Sequence, residues 1–89
     1  MKLVCKVKVK NALGLHTRPA ATIVKLLQSH KSSVSFTYRD ETINARSIMS
    51  ILMLAAKKNA QITVTIDGED AEVTMRRLVA AFDQEFGER

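Results

Sequence analysis

Tryptophan is missing from this sequence, cysteine and proline occur once each, and the aromatic rings are one tyrosine and three phenylalanines. A single cysteine excludes an internal disulfide, and one cysteine with two histidines cannot complete a four-ligand structural zinc site. Neither a metal nor a cofactor is expected. No apolar run approaches the ~20 residues of a transmembrane helix. The opening Met1 to Lys10 alternates lysine with apolar residues, which is not the continuous apolar stretch of a signal peptide. These absences lead to the expectation of a reducing, cytoplasmic setting without membrane insertion. Acidic residues are absent from the first 39 positions, which hold eight Lys and Arg. All nine acids lie from Asp40 onward, against six Lys and Arg, and the whole chain carries +5. Such asymmetry suits an anionic partner, which charge alone leaves open between nucleic acid, a phosphoryl group and an acidic protein.

What is present amounts to one domain, taken as residues 1–89. At that size about 60–65% of the unfolded surface can be buried, enough for one two-layer core. Leu3, Cys5, Val7 and Val9 alternate with Lys2, Lys6, Lys8 and Lys10, and Val4 shares the lysine face. Period two over residues 2–10 predicts a strand with one wet face. Ala20, Ile23, Val24 and Leu27 predict a helix over 17–28, with Pro19 in its first turn. Val34, Phe36 and Tyr38 mark a second strand, Arg39 to Glu41 a turn, and Thr42 to Asn44 a third strand. Ser47 is a good N-cap for a short helix through about Leu54. Ile62, Val64 and Ile66 form a fourth strand, broken by Asp67-Gly68. Asp70 caps a last helix whose Met75, Leu78, Val79, Phe82 and Phe86 make one stripe. The order βαββαβα, with single-faced strands, predicts an α+β open-faced sandwich: an antiparallel sheet covered on one side by three helices.

The chemistry concentrates in Gly14-Leu15-His16-Thr17-Arg18-Pro19-Ala20. His16 falls where a loop meets a helix N-terminus, whose first N–H groups lack intrahelical acceptors and attract anions. The same positive end disfavours imidazolium and so favours a neutral, nucleophilic ring. Arg18 offers a planar fork of donors to phosphate oxygens, and Gly14 lets the loop turn tightly. A histidine that reversibly accepts a phosphoryl group needs a free ring nitrogen, a local anion hole and a guanidinium. A lone histidine before a helix is ordinarily only a cap; the joint phasing of His16, Arg18 and Pro19 raises it above that.

GLHTRPA resembles the active-site segment of the histidine-containing phosphocarrier (HPr) family of the bacterial phosphotransferase system. Asn44-Ala45-Arg46-Ser47-Ile48-Met49 resembles that family's second signature, and Asp67-Gly68-Glu69-Asp70 its entry to the last helix, so the likeness spans essentially the whole chain. The resemblance implies a sheet ordered 1-4-2-3 and a phosphoryl group carried on Nδ1 of His16, assisted by Arg18 and by the backbone N–H groups of Thr17 and Arg18. It implies phosphoenolpyruvate-derived phosphate arriving from enzyme I and leaving to a histidine of an enzyme IIA. Such a carrier turns over only with partners and is not a self-sufficient enzyme. Asn11 to Gly14 and the ending Phe82 to Glu88 resemble the nitrogen-branch relative, NPr, so the output is sugar uptake or its regulatory, nitrogen-linked branch. Asn59 and Ser50 stand where glycine is expected.

Ile48 to Ala56 is more apolar than a surface helix requires. The resemblance implies that Ile48, Met49, Leu52 and Met53 face enzyme I, continued by Thr17, Ala21 and Lys25 on the first helix. Ser47 is fully explained as a cap, and by resemblance is also a regulatory phosphosite for an HPr kinase/phosphorylase. His30 is expected to be solvated or to face a helix C-terminus, and Cys5 to be a small buried apolar residue. The alternative from another class is a small basic nucleic-acid-binding domain using the lysine face. RNA-reading sheets need exposed aromatic rings, and those here are few and partly in the core stripe. A monomer that binds no nucleic acid is therefore expected.

Overall fold

Period-two patterning becomes sheet wherever the sequence carries it. In a computed structural model, which describes residues 1–88, four strands form: β1 (Lys2–Lys8), β2 (Ser33–Tyr38), β3 (Glu41–Asn44) and β4 (Gln61–Asp67). They pair antiparallel in the order β1-β4-β2-β3. Three helices join them, α1 (Thr17–Leu27), α2 (Ile48–Met53) and α3 (Ala71–Asp83). This is the expected α+β open-faced sandwich with the expected strand order.

Register explains why the sheet is covered on one side. Leu3, Cys5 and Val7 stand opposite Ile66, Val64 and Ile62, and Val34 and Phe36 stand opposite Ile66 and Val64. Those side chains share the face beneath the helices, where Phe36, Ile23, Leu27, Ile51, Leu78 and Phe82 are fully buried. The other face carries Lys2, Val4, Lys6 and Lys8 beside Thr63, Thr65, Ser35 and Thr37. Among the described residues no ring lies there: Tyr38 shares the face of Phe36, and all three phenylalanines are buried. The stacking platform that a single-strand reader needs is thus lacking.

Several local expectations need correction. β1 stops at Lys8 rather than 10, because Asn59 takes a left-handed φ of 75° and the bonds at Val9 leave the regular ladder. The hairpin turn is two residues, not three: Arg39 and Asp40 both have positive φ and Glu41 already pairs with Tyr38. That geometry matches the right-handed strand twist. Phe86 does not continue the α3 stripe. The helix ends at Asp83, and Phe86 returns to the core through a left-handed turn, packing edge-on against Phe82 at 4.9 Å between ring centroids. Cys5 is on the inward face but only half-buried.

Asp70 occupies the N-cap of α3, yet its carboxylate makes no capping bond. It reaches instead to the loop after α1, accepting the N–H groups of Lys31 at 2.9 Å and Ser32 at 3.0 Å and the Ser32 hydroxyl. The hydroxyl leads a set of bonds that hold the Asp70 carboxyl far below the usual carboxylate range. His30 is buried rather than solvated. Thr74 donates its one hydroxyl hydrogen to the Asp70 carbonyl at 2.7 Å, so His30 Nδ1, 3.0 Å from that hydroxyl, is the donor. Arg46 completes the knot by donating to the carbonyls of Leu27, His30 and Ser32 at 2.7–2.8 Å. The chain between α1 and β2 is thereby tied to the start of α3 and to the connection between β3 and α2.

Candidate functional site

The site is built from the loop that precedes α1. Gly14 takes φ +69°, and a Cβ there would lie 2.4 Å from the Ala56 carbonyl oxygen and 2.9 Å from Lys57 Cα. Only glycine permits both the left-handed backbone and this close approach. The Gly14 N–H donates to the Asn11 carbonyl at 3.1 Å, and the Leu15 N–H to that of Ala56 at 2.9 Å. With Leu15 buried, the next residue has little freedom. His16 is the N-cap of α1 in extended conformation, its carbonyl accepting from the Ala20 N–H at 3.1 Å. Its side chain makes no capping bond, and the N–H groups of Thr17 and Arg18 donate to no described residue. Pro19 has no N–H to offer. Two backbone donors therefore stand open beside the imidazole.

The ring itself is held from one side. His16 Nε2 lies 2.8 Å from Glu88 Oε2 and 2.9 Å from Oε1. The Asn11 side-chain amide donates to the same Oε1 at 2.9 Å and to the Gly14 carbonyl at 2.7 Å. Burial raises the Glu88 carboxyl and is the largest single influence, but hydrogen bonds from His16 and Asn11, with the fields of His16 and Arg18, together bring it below its ordinary value. Glu88 is thus ionised at neutral pH. His16 Nδ1 makes no hydrogen bond to any described residue. Arg18 is exposed, and with Ala12, Leu13 and Glu88 lines a shallow depression beside the histidine.

Of the residues singled out in the sequence, His16, Thr17 and Arg18 come together here. On α2 Ile51, and just past its end Leu54, point inward, Met49 and Met53 are about 70% exposed, Ile48 is partly exposed and Leu52 is half-buried. Thr17, Ala21 and Lys25 lie exposed on α1, which packs beside α2. Leu13, Leu15, Leu52, Ala55 and Ala56 line a groove that runs from His16 to α2. Ser47 caps α2 through its hydroxyl, which accepts the Ser50 N–H at 3.2 Å. Sequence reasoning missed Asn11, read as a loop residue, the exposed Leu13, and Glu88. Nothing in the sequence marks Glu88, which meets His16 across 72 positions. Among the described residues no cluster of potential ligands suits a metal ion, and no helix is long and apolar enough to cross a membrane.

Comparison with known proteins converges on one family. The model of the PTS HPr component phosphorylation site matches residues 4–84. Phosphocarrier protein HPr of Chlamydia muridarum is 49% identical over 80 residues, spanning 90% of this chain and 77% of that protein. A multiphosphoryl transfer protein of Vibrio cholerae is 33% identical over 84 residues, spanning 91% of this chain and 21% of that protein. Among solved structures, HPr-C-His from Thermoanaerobacter tengcongensis superposes with a TM-score of 0.93 at 30% identity, covering 98% of both chains.

Proposed function

The chain belongs to the HPr phosphocarrier family of the phosphotransferase system, and from that premise we propose that it takes a phosphoryl group from phosphorylated enzyme I onto Nδ1 of His16 and delivers it to a histidine of an enzyme IIA. The observation that carries this reading is the unpartnered Nδ1 next to the open N–H groups of Thr17 and Arg18. A helix N-terminus suits the phosphoryl oxygens, and the Arg18 guanidinium adds a charged fork. The exchange needs no deep pocket, since donor and acceptor proteins supply the remainder of the site. In this reading the carrier works in the cytoplasm, in sugar uptake or the nitrogen-linked regulatory branch. It docks through Thr17, Ala21 and Lys25 of α1 and through Ile48, Met49, Leu52 and Met53 of α2. An HPr kinase/phosphorylase acting on Ser47 would modify the edge of that same surface.

Incubation with enzyme I and labelled phosphoenolpyruvate tests the assignment. The expected product is acid-labile and base-stable, as phosphohistidine is, and is absent from His16→Ala while the fold is retained, because His16 is a half-exposed junction residue. Acid-labile label in His16→Ala would remove His16 from the role.

A further inference from the structure

We propose that the hollow between the β2–β3 turn and the chain entering β4 binds a small phosphate monoester. The phosphocarrier reading does not depend on this site, nor the site on that reading. Arg39, Lys57 and Lys58 line the hollow together with Tyr38, and among the described residues no acid does. Its volume is about 350 Å³, within the range of small-ligand pockets and more than a bare phosphate fills.

Three cations share this space without a counter-charge. Among the described residues none of them enters an ion pair, and neither do Asp40 and Glu41, the acids nearest in sequence. Like charges lining one hollow repel, and a bound dianion relieves that cost. Arg39 is already oriented, with its guanidinium over the Tyr38 ring at 5.1 Å from the centroid. A cation stacked on an aromatic face has less freedom to lose when a ligand arrives. Its planar fork suits phosphate oxygens, and the lysines add point charges.

The backbone holds these groups in place. Arg39 (φ 49°), Ala55 (52°) and Asn59 (75°) line the hollow in left-handed conformations, and none is glycine. A two-residue hairpin turn accounts for the sign of φ at Arg39 but favours asparagine or glycine there, so the arginine is kept against the local preference. Such backbone persists where its surroundings fix it and gathers at ligand sites. The fixing bonds run from the Asn59 N–H to the Val9 carbonyl at 2.7 Å, from Ala60 to Lys57 at 3.0 Å and from Ala55 to Leu52 at 3.0 Å. Lys57 and Lys58 therefore project from a braced turn. The other walls are the Tyr38 ring, Ala55 and Ala60, with the amide of Asn59. They suit the carbon body of an ester better than a second anion.

Titration of the 15N-labelled full chain with glycerol 3-phosphate at constant ionic strength, followed by two-dimensional NMR, tests the site. Amide signals of Arg39, Lys58 and Asn59 should shift together and saturate, and inorganic phosphate should bind there several-fold more weakly. Arg39→Gln and Lys58→Gln should each raise Kd about tenfold or more, as for a lost hydrogen bond to a charged group. Both side chains are exposed, so the remaining signals of the free variants should keep their places. Signals of Thr17 and Arg18 report the region of His16 separately and should respond alike in wild type and variants. Unsaturated shifts spread over Lys2, Lys6 and Lys8 would overturn the proposal, as would unaltered affinity in both variants or equal affinity for the two probes. Ala55 and Lys57 also line the groove that runs from His16, so an acidic segment of enzyme I is the competing occupant. A response of these signals to enzyme I but not to the ester would assign the hollow to protein docking and overturn the proposal. No transfer is measured, so failure of His16 to accept phosphate would strike the phosphocarrier reading alone.

Discussion

At the scale of single residues, the proposed site divides its work between groups that would meet the phosphoryl oxygens and groups that hold the ring. Arg18 is the exposed member of the first set. Its side chain is free to adapt to each partner, and the N–H groups of Thr17 and Arg18 remain when it is cut back. Arg18→Ala should therefore slow single-turnover transfer without abolishing it. Losing one hydrogen bond to a charged group costs about 1.5–3 kcal/mol, or roughly 10–100-fold in rate if the bond is fully formed in the transition state. Rapid-quench kinetics with phosphorylated enzyme I would show this, and an unchanged rate would take Arg18 out of the site. Gly14 belongs to the second set. Its left-handed turn against the Ala56 carbonyl sets the backbone that leads into His16.

At the scale of elements, α2 is the most exposed apolar feature of the molecule. Six residues long, it buries Ile51 and shows Met49 and Met53 to solvent, and in the proposed reading that exposed edge is where a partner docks. Ser47 at its start is a sensitive place to add charge. In Ser47→Asp the carboxylate sits at a helix N-terminus, where it is electrostatically favourable, so the fold should survive. On docking, the same charge must lose water beside apolar surface. The expected signature is a raised KM for this protein as substrate of enzyme I, with kcat changed less, as for lost uniform binding. Equal affinities in a titration of enzyme I would mean that α2 does not dock and that Ser47 is only a cap.

At the scale of the whole molecule, the loop between α1 and β2 is joined to α3 through Asp70 and to the β3–α2 connection through Arg46. The folded Asp70 carboxyl titrates well below its ordinary value of 3.8, chiefly through the Ser32 hydroxyl. A carboxyl depressed in the folded state adds stability above its unfolded value and loses it as pH falls toward the folded one. Asp70→Asn should thus be less stable than the wild type at neutral pH, and the gap should close as the pH is lowered through about 4 toward 2. Urea unfolding of both proteins across that range checks the sign; a gap independent of pH would show that the Asp70 charge carries none of the stability. Because this knot lies apart from His16, phosphoryl acceptance at neutral pH should persist in the variant.

Local pattern alone was enough for the element order, the covered face of the sheet and the position of His16 at a helix start. These depend on residues within a few turns or one strand of each other: alternation for the strands, the i, i+3, i+4, i+7 spacing of Ala20, Ile23, Val24 and Leu27 for α1, and the grouping of Gly14, His16, Arg18 and Pro19. The family likeness supplied the 1-4-2-3 strand order. Tertiary structure decided what joins distant positions. His30 looked solvated because it lies past the end of α1 in a polar stretch; Thr74 of α3 and Asp70 at its N-cap meet it from across the fold. Asp70 was a plausible cap until Lys31 and Ser32 offered its carboxylate better donors. Glu88 had no local signature, since a carboxylate acquires its meaning from the group it faces. That group, His16, is set opposite it only by the Phe86 anchor and the left-handed turn at the end of α3. Short-range periodicity is written in side-chain type, whereas a hydrogen bond across 72 positions exists only after the core has closed.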